Sequence, residues 1–291
     1  MEKNGVLNME KNSIMGAIIG DIAGSRFEFN SIKSKEFELL KGERSLDTKQ
    51  SYSEYRSTCH FTDDTVMTIA VANALLESNG NLENLKEITI QNLKCYGREY
   101  PFAGYGSRFK SWLKFDNVGP YYSFGNGSAM RISAVPYFAK SLEEVKTLSK
   151  LVTEVTHNHP EGIKGAEAIA VCIWLAMNGY DKFYIKDYVE ENYYNLDYDY
   201  DELLQFYAFD ETCQGSVPQS IFAFLISNSY EDAIRTAISM GGDADTMACI
   251  AGSIAGVYYG IPEDIFNKAL NYFIPTNFIN VIKKVTKNKD N

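Results

Sequence analysis

Two short runs of acidic and hydroxyl side chains are the clearest chemical feature of this sequence of 291 residues. The runs are Thr62-Asp63-Asp64-Thr65 and Asp243-Ala244-Asp245-Thr246, and each directly precedes a segment with helical periodicity. One Asp or Thr is enough to cap a helix, because a single side chain can accept a hydrogen bond from an orphan N–H group of the first turn. Each run holds two carboxylates, which repel each other unless a cation intervenes. Capping alone therefore does not account for the runs.

Oxygen is the only ligand type that the two runs offer to a cation. Carboxylate and threonine oxygens suit Mg²⁺, Mn²⁺ or Ca²⁺, whereas zinc sites are rich in cysteine and histidine, which both runs lack. If the two helix starts meet in space, they can hold two cations about 3.5 to 4 Å apart, the separation at which metal ions act jointly on one reacting centre. The sequence alone leaves open whether they meet.

A third acidic side chain, Asp21, lies among small and apolar residues in the run 16–25, and Glu28 follows it. Close packing against another helix explains the glycines of this run. An unpartnered buried carboxylate is costly, so both acids are expected to be paired or functional.

The run Gly125-Asn126-Gly127-Ser128-Ala129-Met130-Arg131 is expected to join a turn to a helix. Its backbone N–H groups are suited to an anion such as a diphosphate, although Gly-Asn-Gly is most often just a turn.

Two of the three histidines, His157 and His159, stand just before a segment with helical periodicity. A capping or core role is the usual one for such a histidine. Two histidines are too few for a metal site, but they are able to hydrogen-bond a hydroxyl or phosphate of a ligand.

The composition excludes several classes of function. The 38 Asp and Glu residues outnumber 28 Lys and Arg, and the net charge of −10 argues against nonspecific binding of nucleic acid or of anionic membranes. The five cysteines include no Cys-x-x-Cys pair, which is typical of reduced thiols, and there is no convincing secretory signal or run long enough to span a bilayer. We expect a cytoplasmic protein that does not insert into membranes.

Helical periodicity dominates the chain, and strand-like alternation is scarce. It predicts an all-α fold, a compact single-domain bundle of ten or more helices over residues 1–291 with frayed tails at about 1–12 and 283–291. Residues 28–59 are expected to form a long loop or short strands, and the Tyr- and Asp-rich residues 180–209 a solvated insertion whose rings pack on the bundle. The periodic segments are residues 64–78, 142–155, 163–177, 217–227, 231–240 and 246–259.

Taken together, the runs resemble the ADP-ribosylglycohydrolase family, which includes dinitrogenase-reductase-activating glycohydrolase and the vertebrate ADP-ribosylhydrolases. The matching elements occur in family order across residues 14–262. They are Gly20-Asp21-Ile22-Ala23-Gly24 with Glu28, Phe61-Thr62-Asp63-Asp64-Thr65, Gly125 to Arg131, Thr156-His157, and Gly241-Gly242-Asp243-Ala244-Asp245-Thr246.

The resemblance implies an orthogonal helical bundle with two Mg²⁺ ions in a cleft, Mn²⁺ being an alternative. It implies six metal ligands, a loop that binds the diphosphate and ribose, and a substrate-contacting histidine, His157. Glu28 matches a glutamate that lies over the metals in some members when the site is empty. The implied metal ligands are Thr62, Asp63, Asp64, Asp243, Asp245 and Thr246, and the implied loop contacts are Gly125, Asn126, Gly127, Ser128 and Met130.

The resemblance therefore implies a metal-dependent hydrolase that removes ADP-ribose from a modified protein side chain, and we expect an arginine nitrogen as the acceptor. One of the carboxylates Asp63, Asp64 and Asp245 is expected to accept the proton of the attacking water, and Glu28 to assist in acid–base transfer or to gate the site. The partner is then an ADP-ribosylated protein or a small molecule that contains ADP-ribose.

Three alternatives stay open at the level of the sequence. The first is that the acceptor is a serine, a small molecule or nucleic acid in place of arginine. The second is that the chain is a catalytically silent, crystallin-like relative that only binds ADP-ribose. The third is that the dinuclear site hydrolyses phosphate esters. The intact acidic positions count against a silent relative.

Overall fold

The structure of this protein is a computed structural model that describes residues 11–42 and 57–289. In those residues it contains thirteen α-helices and no β-strand, which confirms the predicted all-α class. Two 3₁₀ turns, Asn126–Ser128 and Val135–Phe138, lie between the fourth and fifth helices. The helices are α1 (Ser13–Gly24), α2 (Asp63–Ser78), α3 (Leu82–Glu99), α4 (Ser107–Lys114), α5 (Leu142–Thr153), α6 (Pro160–Met177), α7 (Lys182–Asn192), α8 (Tyr200–Phe206), α9 (Cys213–Ile226), α10 (Tyr230–Ser239), α11 (Ala244–Tyr258), α12 (Glu263–Tyr272) and α13 (Thr276–Lys289).

The helix starts show why the chain breaks where it does. A polar side chain at the N-cap accepts a hydrogen bond from the first turn of most helices, as Thr62 does for α2 and Ser229 for α10. The start of α11 is different, because Asp243 occupies the N-cap position and its side chain makes no capping hydrogen bond. The carboxylate of Asp243 is therefore available for another role.

A seam of glycines joins α1 to α11. A Cβ atom added to Gly20 would lie 2.1 Å from the carbonyl oxygen of Ala248, and one added to Gly16 would lie 2.2 Å from that of Gly252. The two helix backbones are thus in direct contact, which only glycine permits at these positions. This confirms close packing as the role of the glycines, and it places Asp21 of α1 beside the first turn of α11.

One contiguous hydrophobic core extends from Ile14 to Val285. It is built mainly on the fully buried faces of α1, α6, α9 and α11. No helix within the described residues is both long enough and apolar enough to cross a bilayer. All five cysteines carry free thiols, of which only that of Cys95 is exposed.

Two local expectations need correction, one for the run after Gly125 and one for the C-terminal tail. The run after Gly125 forms a single 3₁₀ turn and further turns, and the next α-helix begins only at Leu142. Residues 180–209, predicted as a solvated insertion, contain α7 and α8 and are mostly exposed or half-buried. Their rings do pack on the bundle: Tyr194 is buried, and the ring of Tyr198 lies 5.6 Å from that of Phe222.

The two ends of the chain and the loop after α1 complete the comparison. Residues 283–289 continue α13 instead of fraying, because Val285 is buried and Thr286 Oγ1 accepts a hydrogen bond from Asn12 Nδ2 at 2.9 Å. Residues 28–42 form bends and turns without a strand, as the loop prediction stated. Residues 1–10, 43–56 and 290–291 lie outside the described residues, so the predictions that fall on them stay predictions.

Candidate active site

The two acidic runs lie together at one end of the bundle. Thr246 Oγ1 donates a hydrogen bond to Asp64 Oδ2 at 3.3 Å, although the two residues are 182 positions apart in the chain. The first turns of α2 and α11 meet there beside the C-terminal half of α1. Carboxylate oxygens of Asp21, Asp64 and Asp245 lie within 4.8 Å of one another, and so do those of Glu28, Asp243 and Asp245. Asp245 belongs to both groups. The two groups therefore form one acidic cluster with two candidate cation positions.

Asp21 holds the first turn of α2 in place. Its carboxylate accepts hydrogen bonds from the backbone N–H groups of Thr62 and Thr65, at 2.9 and 3.1 Å, and from their hydroxyl groups, at 2.7 and 2.5 Å. These four bonds use the acceptor positions of the carboxylate. We therefore assign Asp21 to support of the site. Sequence reasoning did not place it among the site residues, although its position in a fully apolar helix marked it as an acid in need of partners.

Burial and mutual repulsion disfavour the charged forms of these acids. Burial raises the pKa of Asp21 to about 6, and burial together with the charges of Asp21 and Asp243 raises the pKa of Asp63 to about 7. Burial, followed by the neighbouring carboxylates, holds the pKa values of Asp64 and Asp245 well above their ordinary range. An ionised cluster of this kind needs positive charge close to it.

The donor atoms fit a hard divalent cation. Asp64 Oδ1 is buried and has no hydrogen-bond partner among the described residues, while Asp64 Oδ2 receives hydroxyl contacts from Thr62 and Thr246, both at 3.3 Å. An orphaned, buried carboxylate oxygen is costly unless a cation binds it. Oxygen ligands of this kind suit Mg²⁺ or Mn²⁺.

Above the acidic cluster lies a cleft of about 310 Å³, a volume in the range of small-molecule sites. Eleven of the predicted site residues line it: Glu28, Asp63, Asp64, Gly125, Asn126, Gly127, Met130, His157, Asp243, Asp245 and Thr246. Two predicted residues do not. Thr62 is buried behind the cluster against Asp21, and the buried Ser128 donates its hydroxyl to the carbonyl of Gly162 at 2.8 Å. Ser128 therefore fixes the loop to α6 and does not face a ligand.

We call the side of the cleft formed by the predicted acids the acidic wall; its carboxylates are those of Glu28, Asp63, Asp64, Asp243 and Asp245. Asp63 occupies a separate position in this wall. It belongs to neither group of three carboxylates. Its side chain faces the loop before α4, where a Cβ atom added to Gly104 would lie 2.9 Å from Asp63 Oδ1. The Asp63 carboxylate is thus exposed to the cleft without lying between the candidate cation positions.

Loops and the first turn of α4 supply the other lining residues of the cleft, which we call the loop wall. Asn126 ties this wall to the acidic cluster, because its side-chain amide donates to Asp243 Oδ2 at 2.8 Å and to Ser216 Oγ at 3.2 Å. Two arginines, Arg108 and Arg131, also line it. Arg108 packs over the ring of Tyr121, with its guanidinium carbon 5.1 Å from the ring centroid, and donates a hydrogen bond to the Tyr121 carbonyl.

Most residues of this loop wall were not predicted from the sequence. Arg131 closes the run that starts at Gly125, so its residue type was visible but its direction was not. Arg108 lies in the first turn of α4, and most of the other missed residues come from loops without any periodic signal. An aromatic pair lies at the edge of the cleft, where the rings of Phe29 and Phe209 stack 6.3 Å apart. The missed lining residues include Arg108, Tyr121, Ser123, Phe124, Phe209, Glu211 and Thr212.

Comparison with known proteins places the whole chain among relatives of one kind. The family model described as ADP-ribosylglycohydrolase matches residues 8–285. The ADP-ribosylhydrolase ARH3 of Gallus gallus is 28% identical over 86% of this chain and 85% of the relative. The protein of the same name from Homo sapiens is 26% identical over 88% of this chain and 87% of the relative.

A solved structure shares the fold. It is described as an ADP-ribosylglycohydrolase-related protein complex, and it matches 97% of this chain and 99% of its own with a TM-score of 0.67. At 18% sequence identity this likeness concerns the fold alone.

Proposed function

The chain belongs to the ADP-ribosylglycohydrolase family and is accordingly a hydrolase, and from this premise we propose that its cleft cleaves the bond between ribosyl C1 of ADP-ribose and an arginine side chain of a modified protein. The observation that carries the proposal is the pairing of two walls across one cleft. Carboxylates from both candidate cation groups, Glu28, Asp64, Asp243 and Asp245, line the same cleft as Arg108 and Arg131.

The acidic wall would hold two divalent cations, with Asp64, Asp243, Asp245 and Glu28 as carboxylate ligands and Thr246 close to them. When bound, such cations polarise oxygen atoms and orient a sugar hydroxyl and a water molecule on one reacting centre. Asp21 and Asn126 keep the ligand side chains in place, through Thr62 and Asp243 respectively.

Asp63 is the carboxylate best placed to accept a proton from the attacking water. The sequence predicts three acids as candidates for this base. Asp64 and Asp245 belong to the candidate cation groups, whereas Asp63 does not. A carboxylate acting as base must reach the water without being shielded by a cation. The other acids contribute negative charge near ribosyl C1, where an oxocarbenium-like transition state gains from it.

The charges of the two walls orient the substrate. Six carboxylates line the cleft against two arginines, so two divalent cations would bring the charges to balance. The diphosphate of ADP-ribose then lies toward Arg108, Arg131 and the Gly125 loop, since these groups carry positive charge or backbone donors. The ribosyl end that is to be cleaved faces the acids.

Acidic residues at the opening of the cleft support arginine as the acceptor. Glu28 is half-buried and Glu211 is exposed, and both line the cleft. A guanidinium group keeps its positive charge at neutral pH, so it is attracted to this opening, whereas a serine oxygen gains nothing from it.

The test is parallel incubation of the protein with arginine-linked and serine-linked ADP-ribosyl peptides of the same sequence, each with Mg²⁺. We expect faster release of ADP-ribose from the arginine-linked peptide. We also expect Glu211→Gln to lower kcat/KM for that peptide by about threefold while sparing the serine-linked one, with Glu202→Gln on the exposed face of α8 as the matched control.

Each other result has a defined meaning. Cleavage of only the serine-linked peptide would overturn arginine as the acceptor and leave the hydrolase in place. Binding of ADP-ribose without release from either peptide would identify a silent relative and overturn the proposed reaction.

A further inference from the structure

Behind the loop wall, three side chains form a hydrogen-bonded chain that ends in the cleft. Arg131, Thr156 and His157 are 1%, 0% and 5% exposed. Arg131 Nη2 donates to Thr156 Oγ1 at 2.7 Å, and Thr156 Oγ1 lies 2.8 Å from His157 Nδ1. We propose that Arg131 and Thr156 are positioning residues that fix His157 with its proton on Nε2, so that the ring presents a hydrogen-bond donor to an oxygen atom of the ligand.

The direction of the chain follows from the donor inventory. A guanidinium group only donates, so Thr156 Oγ1 is the acceptor of the first bond. The hydroxyl has one proton of its own, and within the described part of the chain its remaining side-chain partner is His157 Nδ1. The proton therefore points at Nδ1. A proton on Nδ1 would leave the buried hydroxyl proton without an acceptor, which costs free energy.

The surroundings of the ring keep it neutral. Burial, and then the charges of Arg131 and Arg108, hold the pKa of His157 well below its ordinary range. Besides the two arginines, Tyr121 lies against the His157 ring, with the ring centroids 6.0 Å apart. Burial raises the pKa of Tyr121 to about 12. A neutral imidazole with Nδ1 accepting has its single proton on Nε2.

Nε2 points at the loop that lines the cleft. A Cβ atom added to Gly127 would lie 3.4 Å from His157 Nε2, and one added to Gly125 would lie 3.8 Å from it. Among the described residues, Nε2 has no hydrogen-bond partner in the protein, and His157 lines the cleft. The donor is thus reserved for an acceptor that binds beside the glycines, such as a phosphate or hydroxyl oxygen.

Arg131 adds a second reason for an anionic ligand. Its guanidinium group forms no salt bridge with a described residue, and its Nε has no hydrogen-bond partner there. Burial lowers the pKa of Arg131 to about 10, which still leaves it charged at neutral pH. A buried cation without a carboxylate partner favours an anion in the adjoining cleft. That this anion belongs to ADP-ribose rests on the function proposed above; the position of the proton on His157 does not.

The test is NMR of the full-length protein with ¹⁵N-labelled histidine, in which the ring nitrogen shifts distinguish a protonated nitrogen from an unprotonated one. Only three histidines contribute signals, and His157→Asn assigns the relevant pair. We expect a protonated Nε2 and an unprotonated Nδ1 between pH 6 and pH 8. The Thr156→Val variant is expected to lose this arrangement and to weaken ADP-ribose binding by about tenfold.

Two further variants separate positioning from simple packing. Thr156→Ser is expected to restore both the ring signals and the affinity, because it keeps the hydroxyl. Thr153→Val is the matched control, since Thr153 is an equally buried threonine whose hydroxyl has no partner among the described residues, and it is expected to change neither readout.

A proton on Nδ1 in the unchanged protein, or ring signals that Thr156→Val leaves as they were, would overturn the inference. The expected ring signals in a protein that fails to bind ADP-ribose would support the tautomer and count against the proposed function instead.

Discussion

The two walls of the cleft are built in different ways. The acidic wall is built on the first turns of α2 and α11. The glycine seam holds α11 against α1, and the hydrogen bonds of Asp21 hold α2 against α1. The loop wall has no such frame, and its side chains are held by buried hydrogen bonds such as those of Asn126, Ser128 and Arg131. A helix frame suits ligands that demand fixed geometry, whereas a loop wall can vary with the substrate.

The two walls also carry opposite charges that are not balanced within each wall. In the acidic wall, burial and then the charges of neighbouring carboxylates hold the pKa values of Asp64 and Asp245 well above their ordinary range. In the loop wall, Arg131 is buried without an acidic partner among the described residues. Ligands would balance both charges, with divalent cations bound at the acidic wall and a diphosphate bound at the loop wall.

The largest effect is expected from Asp245→Asn, because this carboxylate belongs to both candidate cation groups. Release of ADP-ribose should fall about a thousandfold or more. The cation-free protein should become more stable by about 1 kcal/mol, since one repelling buried charge is gone. Turnover assays and urea unfolding in EDTA measure the two effects.

The matched control for this variant is Asp201→Asn, which removes an exposed acid from the first turn of α8 and should leave turnover unchanged without stabilising the cation-free protein. If Asp245→Asn destabilised the cation-free protein, the acidic wall would not be the strained element described here.

Next in size is Gly20→Ala, which breaks the frame of the acidic wall. The added Cβ atom would lie 2.1 Å from the Ala248 carbonyl oxygen, so the two helices must move apart. We expect a loss of about 3 kcal/mol in the free energy of unfolding. Gly119→Ala has open space around the new Cβ and should stay within about 0.5 kcal/mol of the unchanged protein. Equal stability of the two variants in urea unfolding would show that the seam is not tight.

Cation binding is expected to stabilise the protein by a similar amount. At a Mg²⁺ concentration of about 100 times its Kd, the free energy of unfolding should rise by about 2.7 kcal/mol, which raises Tm by about 5 °C or more. The Asp64→Asn variant should lose most of this gain, because it replaces the carboxylate that carries the orphaned oxygen, a member of one candidate cation group, with a neutral amide. A Tm that does not respond to Mg²⁺ or Mn²⁺ in the unchanged protein would contradict a cation site.

The smallest effect is expected at the edge of the cleft, from Phe209→Ala. Its ring stacks with that of Phe29 and lines the cleft, so its removal should raise KM by about threefold and leave kcat nearly unchanged. Phe206→Ala, in the same segment but 72% exposed, is the control. A large fall in kcat would place Phe209 in the chemistry instead of at the edge.

The acidic wall could largely be predicted from the sequence, because its chemistry is concentrated in two runs of four residues. The helical class followed from periodicity in the same way. That the runs meet could not be derived from spacing, since the contact depends on Gly20 reaching the backbone of Ala248 in a helix more than 200 residues away.

The loop wall was predicted less well, and Ser128 shows the reason. Its residue type suited an anion-binding loop, but its hydroxyl turns inward to the carbonyl of Gly162. Side-chain direction in a loop depends on tertiary partners, which a local pattern does not contain. Arg131 is the converse case, a cleft-lining cation whose role becomes visible only with Thr156 beside it.

The most direct test of the account is the identity of the product. An arginine-linked ADP-ribosyl peptide is incubated with the protein in Mg²⁺ and, separately, in EDTA, and the products are identified by mass spectrometry. We expect intact ADP-ribose and unmodified peptide in Mg²⁺ and neither product in EDTA. Release of AMP or inorganic phosphate, or undiminished release of ADP-ribose in EDTA, would contradict it.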